Sequence, residues 1–313
     1  MAPFVAQRLG GAVLTLLLAT VLVFSALLLV PGDPAQTILG LEASPDALGA
    51  LRRTLGLDRP PVRRYVEWLG RVARADLGTS IRYGRPVGEL IRARLGVTLP
   101  LVILSMLAAG LIGTLLGAIA ARHEGRPLDL GVSGFALTGL VLPSFWVGLM
   151  LILFFSAQMR WLPSGGFPGW GDPRAALVHL TLPVVTLALA RAALMTRIVR
   201  GSLLDVLHED YIRTARAKGV AERGVVYGHA LRNAAIPVVT VLGLEFAQLL
   251  TAGVVVESVF ALPGLGSLVL TGIEARDYTL VQGVVLVLAA MIVGLNLLTD
   301  LAYGLLDPRI ASR

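Results

Sequence analysis

Six stretches of this chain stay apolar long enough to cross a bilayer, and its polar residues gather in blocks between them. A spanning helix needs about 20 mostly apolar residues. The pattern predicts spans at Leu9–Val30, Leu99–Ala121, Val132–Phe155, Leu177–Val199, Pro237–Val256 and Leu280–Leu305. Arg8 ahead of the first apolar run gives it the look of a signal peptide. Its core is too long for one, and Pro31-Gly32-Asp33-Pro34 ends it without a small-residue cleavage site. It reads as a retained anchor. Pro143 and Pro183 fall inside spans three and four and predict kinks. Gly110, Gly113, Gly117, Gly139 and Gly148 make spans two and three suited to close helix contact.

Residues 32–98 form a polar module. Ser44-Pro45 is a helix start, a cap residue followed by proline at the first helical position. Leu48, Leu51 and Leu55 continue that helix, and Gly56 can end it. A second helix is expected over Val62–Ala73, a turn at Asp76–Ser80, and a short interfacial helix over Pro86–Arg94. The division is therefore an N-terminal span (1–31), an extracytoplasmic helical insert (32–98) and a five-helix core (99–313) with a cytoplasmic loop (200–236). The fold class is an all-α integral membrane protein of six transmembrane helices.

Composition agrees. Hydrophobic residues make up 56% of the 313 and charged residues 15%, well below the roughly one quarter usual in soluble domains. The partner implied first is membrane lipid. The formal charge of +7 does not point to nucleic acid, because no basic patch is interleaved with aromatics. Basic residues in short loops mark the cytoplasmic side. Arg122 and Arg126 lie in the loop between spans two and three. The loop after span four carries Arg197, Arg200, Arg213, Arg216, Lys218, Arg223 and Arg232. Both termini and these two loops are therefore expected inside. Residues 32–98 must then lie outside despite eleven arginines, which long translocated segments tolerate.

Intrinsic catalysis finds little support. His123, His179, His208 and His229 show no paired metal-ligand spacing. There is no phosphate-cradling Gly-x-x-x-x-Gly-Lys-Ser/Thr loop and no Gly-x-Ser-x-Gly elbow. No span has a central histidine to activate Ser105 or Ser156, as an intramembrane serine protease would need. No cofactor or metal is expected in this chain. With no cysteine, disulfides do not enter.

The loop after span four is the sharpest feature. Asp210-Tyr211-Ile212-Arg213-Thr214-Ala215-Arg216-Ala217-Lys218 has helical composition, and Gly219 is a natural stop. Tyr211, Thr214, Ala215 and Lys218 share one face. Two readings stand: a solvated connector, or a short helix that docks in the groove of a cytosolic partner. Within the spans, Glu245 and Gln248 sit on one face of span five, Asn296 and Asp300 on span six, and Arg191 on span four. Ionisable groups in a bilayer are costly and face the bundle interior or a water-filled cavity. Glu245, Gln248 and Asn296 are pathway candidates, with a neutral Glu245 hydrogen-bonded between helices as the alternative. Arg191 and Asp300 are expected to snorkel or pair near the cytoplasmic end. After span five, Glu257, Phe260, Pro263 and Gly264 belong either to a re-entrant connector or to an external gate or docking platform. Phe260 and Leu262 are expected to partition to the interface.

The string from Tyr211 to Gly219, followed by His229-Ala230-Leu231-Arg232-Asn233-Ala234-Ala235-Ile236-Pro237, resembles the loop signature of ABC-importer permeases. It is most similar to the dipeptide, oligopeptide, glutathione and nickel group. Pro31–Pro34, Asp76–Ser80, Trp161–Gly166, Glu257–Gly266, Arg276-Asp277-Tyr278, Val281-Gln282-Gly283 and Leu306-Asp307-Pro308-Arg309-Ile310 extend the resemblance along the chain. The insert after span one makes it more similar to the "B" than to the "C" permease of such a pair. Arg213-Thr214-Ala215 stands where the general signature begins Glu-Ala-Ala, a departure common in the peptide group. The resemblance implies a peptide importer in the bacterial inner membrane. Its partners would be a second permease, two cytosolic ATPase subunits and an extracytoplasmic solute-binding protein. ATP and Mg2+ would act only in the ATPase subunits. Residues Asp210–Gly219 would be the coupling helix. The rival readings are a proton-coupled secondary transporter, with Glu245 as its one good carboxylate, and an ABC permease for nickel or glutathione.

Overall fold

The computed structural model describes residues 2–29, 34–40, 43–54, 56–219, 224 and 231–306. Within these, only the backbone is described at 2–4, 34, 37, 38, 213, 215, 216, 231–240, 242, 244 and 302–306. Residues 31–33, residues 220–223 and 225–230 of the loop after span four, and residues 307–310 lie outside the described residues. The described chain is helical: α1 (Ala2–Leu29), α2 (Pro34–Leu39), α3 (Pro45–Thr54), α4 (Pro61–Val72), α5 (Val87–Arg122), α6 (Pro127–Val141), α7 (Ser144–Leu151), a π-helical segment (Ile152–Gln158), α8 (Pro173–Leu207), α9 (Asp210–Ala217), α10 (Leu231–Val259), α11 (Leu265–Glu274) and α12 (Tyr278–Leu306). It divides into two compact units, Met1–Gly96 with Gly264–Arg313, and Val97–Pro263.

Among the described residues, four helices are long and apolar enough to cross a membrane: Val5–Leu29, Val87–Arg122, Pro173–Leu207 and Tyr278–Leu301. The pair α6 and α7, continued by the π-helical segment, passes as a fifth if taken as one span. The 29-residue α10 stands where span five is expected.

Three expectations need correction. Span two has no separate interfacial helix before it, because α5 runs unbroken for 36 residues through Pro100. Proline removes only one N–H, and a long apolar helix can absorb that loss. Span three is broken rather than kinked: its halves meet at 106°. Leu142 is extended (ψ 127°) ahead of Pro143 (ψ 133°), as the clash of a proline ring with its preceding residue demands. The segment after span five also contains a helix that the sequence reading did not foresee, α11, opened by Gly264.

In the first unit, α1 pairs with α12, and Arg8 Nη1 meets Asp300 Oδ2 at 2.9 Å near one end. The polar module is not purely polar. α4 lays Tyr65 and Trp68 on Phe24 of α1, with ring centroids 5.4 and 6.2 Å away. Thr20 Oγ1 and Tyr65 OH lie 2.9 Å apart. Ser44 caps α3 as expected, accepting from the Ala47 N–H at 3.3 Å, and Gly56 has φ +65°. Val87, Leu90 and Ile91 of α5 form a core with Leu265, Leu268, Leu280 and Val284.

In the second unit, α8 is the central helix and packs on α6, α7 and α10. Small residues set the spacing. A Cβ on Gly113 would strike Met195, one on Gly117 would lie 2.7 Å from Val199 Cβ, and one on Gly139 2.8 Å from Ala193 Cβ. The glycine-rich faces read in the sequence thus do what close helix contact requires.

Candidate functional site

The conspicuous string after span four folds into α9. Asp210 stands in its first turn, where a carboxylate favours the helix dipole. Thr214 Oγ1 donates back to the Asp210 carbonyl at 3.1 Å. Lys218 N–H donates to the Thr214 carbonyl, and Gly219 turns out of the helix at φ +79°. Ile212 is fully buried, in a cluster with Ala118 and Ala121 of α5 and Met195, Val199, Leu203 and Leu207 of α8. Burying one such side chain contributes about 1.5–3 kcal/mol. Tyr211, Thr214, Ala217, Lys218 and Gly219 are exposed. The side chains of Arg213, Ala215 and Arg216 lie outside the described residues. Sequence reading missed Ile212 as the anchor. Its signal was a lone large aliphatic residue in a polar helix.

Beside α9, the end of α8 is clamped to the start of α6. Arg200 Nε and Nη2 donate to Asp129 Oδ1 and Oδ2 at 2.6 and 2.8 Å. Gly125 N–H and Ser133 Oγ donate to the same carboxylate at 3.0 and 3.3 Å. Such a two-pronged guanidinium–carboxylate pair is both strong and directional. The sequence had shown Arg200 only as one of several loop arginines.

Within the spans, Arg191 Nη1 donates to Glu245 Oε2 at 2.6 Å, both side chains largely buried. Glu245 therefore accepts from a cation, where the alternative reading had it as a neutral donor. Gln248 and Asn296 are exposed on their helices. Asp300 pairs with Arg8, and Arg191 with Glu245.

The corner after α10 is packed shut. Phe260 and Leu262 are each 1% exposed, so neither partitions to the interface as expected. Protein covers them first. The Trp161–Gly166 turn folds over Phe260. Gly165 abuts the Phe260 carbonyl so closely that a Cβ there has no room, and Gly166 N–H donates to that carbonyl at 2.8 Å. Gly148 of α7 flanks the Phe260 ring. Glu257 is buried and accepts from Thr98 Oγ1 at 2.6 Å. The Leu262 N–H returns to the Glu257 carbonyl at 2.8 Å, and Ala261 takes φ +49° to make the turn. Pro263 and Gly264 carry the chain on into α11.

In the first unit, Asp277 gathers a knot. Its Oδ2 accepts from Ser80 Oγ at 2.6 Å and from the Arg82 N–H at 3.0 Å, and its Oδ1 accepts from the Leu280 N–H at 3.0 Å. Asp76 Oδ1 accepts from Gly78 N–H. Gly78 lies where a Cβ would meet Thr279, and Gly283 where one would meet Val87. Three of the strings singled out in the sequence thus converge on one another.

Comparison with known proteins gives the class. Residues 113–312 match the family described as binding-protein-dependent transport system inner membrane component, and residues 1–102 match its N-terminal family. The chain belongs to this family and is a multi-pass membrane permease component. It is 39% identical to a probable peptide ABC transporter permease of Sinorhizobium fredii, over 99% of both chains. It is 40% identical to a putative peptide transport system permease of Brucella suis, again over 99% of both. It is 43% identical to the glutathione transport system permease of Salmonella typhimurium, over 98% of both. A solved structure of the MetNI methionine ABC transporter, described as inward facing, matches with a TM-score of 0.57 at 19% identity. That match covers 67% of this chain and 93% of the other, and it supports the type I ABC importer permease fold.

Proposed function

We propose that this chain, with a second permease, forms the transmembrane pathway of an ATP-driven importer for di- or oligopeptides. Two cytosolic ATPase subunits, with ATP and Mg2+, drive it, and an extracytoplasmic solute-binding protein feeds it. It sits in the bacterial inner membrane with both termini cytoplasmic. The division into an anchor (1–31), an external insert (32–98) and a core (99–313) follows this topology. The relatives named for peptides and glutathione support the substrate class, glutathione being itself a tripeptide.

The observation that carries the reading is α9. It is pinned from below by Ile212 and turns Tyr211, Thr214 and Lys218 to the surroundings. A connector needs no such buried anchor. A helix that must transmit force from a partner does. ATP can shift the permease only through unequal affinity of the ATPases for its two states, so the docked helix must move as one body with α5 and α8. Glu257, Phe260, Pro263 and Gly264 serve as part of the external gate or docking platform in this scheme. Glu245, Gln248 and Asn296 are the candidates for the pathway.

Ala215→Asp is the test. ATP-dependent peptide uptake in reconstituted vesicles is expected to fall at least tenfold, with membrane insertion and yield unchanged. Normal uptake by this variant would remove the docking role.

A further inference from the structure

The sequence left one anomaly that transport does not absorb: a run of arginines in residues 32–98. Four of them meet around one cavity. It has a volume of about 600 Å3 and lies wholly within the first unit. Arg59, Arg64, Arg71, Arg74 and Arg276 line it, against the single acid Glu67. Glu67 is already committed, accepting from Arg59 at 2.9 Å and from Arg63 at 3.0 Å. No salt bridge reaches Arg64, Arg71 or Arg74 among the described residues. Arg64 is half-buried with its guanidinium carbon 6.0 Å from the centre of the Phe24 ring, and burial holds its pKa below the ordinary value. Converging guanidinium groups without carboxylates repel one another and favour any anion that enters.

Trp68 belongs to the same cavity wall. Its ring lines the cavity, it is 2% exposed, and its buried Nε1–H has no hydrogen-bond partner. Among the described side chains it is the one buried polar atom left so. Buried donors are almost always paired, and an indole N–H can only donate. That nitrogen is closed to solvent, so Trp68 enters the cavity as part of its wall and not as a donor to its contents. The cavity falls in the size range of small-molecule sites, with Phe24 adding an apolar wall.

We propose that this cavity is an oxyanion-binding site, taking the carboxylate of a small solute or the phosphate of a lipid headgroup between Arg64, Arg71 and Arg74. The proposal goes beyond the transport reading and does not depend on it. The uptake assay above can fail without touching it, and this site can fail while uptake stands.

The test uses the purified full chain in phosphatidylcholine nanodiscs and isothermal titration with two probes, N-acetyl-dialanine and its C-terminal amide. The acid is expected to bind at least tenfold more tightly than the amide. Arg71→Gln with Arg74→Gln should weaken the acid at least tenfold. Both arginines are exposed, so the double variant should keep the wild-type melting temperature. If it does not, Arg74→Gln alone is read. Repeating the titration with phosphatidylglycerol in the discs separates the sources. Competition lost in the double variant assigns the site to a headgroup phosphate, and unchanged binding assigns it to a dissolved carboxylate. Equal affinity for acid and amide, no binding of the acid, or indifference to the arginine substitutions overturns the proposal.

Discussion

The α9 helix and the Glu257–Phe260 corner belong to the same unit, and both were singled out by their residue strings. They use those residues in opposite ways. α9 buries one large side chain, Ile212, and leaves Tyr211, Thr214 and Lys218 outside. The corner buries Glu257, Phe260 and Leu262 and admits only glycine at 165 against the Phe260 carbonyl. A distinctive string can therefore mark a surface held ready or a joint held closed. Burial distinguishes the two where spelling does not.

The contrast breaks most readily at the joint. Gly165→Val forces a branched side chain against backbone that cannot yield. The expected cost is upward of roughly 3 kcal/mol, read as loss of the monodisperse peak and a collapsed melting temperature in detergent. A wild-type melt would mean that the turn is looser than its geometry. Next comes the pin beneath α9. Ile212→Ala should cost about 2–4 kcal/mol through the cavity it leaves, whereas Tyr211→Ala should stay within about 0.5 kcal/mol. Thermal melts of the two variants side by side decide this, and equal losses would erase the distinction between anchored and outward faces.

The smallest effect lies away from both regions and serves as a solvated control. Hydrogen bonds from Arg63 first, then Arg59, lower the pKa of Glu67 below the ordinary carboxylate value of 4.5. A depressed folded-state pKa contributes stability above the unfolded pKa, and that stability is lost as pH falls through the folded value. The melting temperature should therefore decline slightly as pH drops below about 4.5. Glu67→Gln should flatten that acid limb and, because it removes the same contribution at neutral pH, lower the melting temperature slightly at pH 7. A variant that reproduces the wild-type limb would show that the pair contributes nothing, as many exposed pairs do.

Much of this was legible in the chain. Hydropathy placed the helices because bilayer thickness imposes a length on apolar runs. The cap at Ser44 and the stop at Gly219 were readable because each depends on its immediate neighbours. What escaped was set at a distance. Ser80 and Asp277 are joined across 197 positions, and no local pattern announces which serine will meet which aspartate. The Arg200 clamp was invisible for the same reason: a loop arginine that obeys the charge rule looks like one that holds a carboxylate. Pro143 was read as a kink and proved a break. Pro100 continues a helix and Pro143 breaks one, and the difference lies in whether the preceding residue can stay helical against its surroundings.

The uninterrupted course of α5 has a mechanical consequence. At 1.5 Å per residue, 36 residues make a rod about 54 Å long, nearly twice the depth of the hydrocarbon layer. Pivoting such a rod by about 5° about one tip displaces the other by roughly 5 Å, close to one helical pitch. A lever of that reach turns a slight push at one end into a displacement of several ångströms at the other.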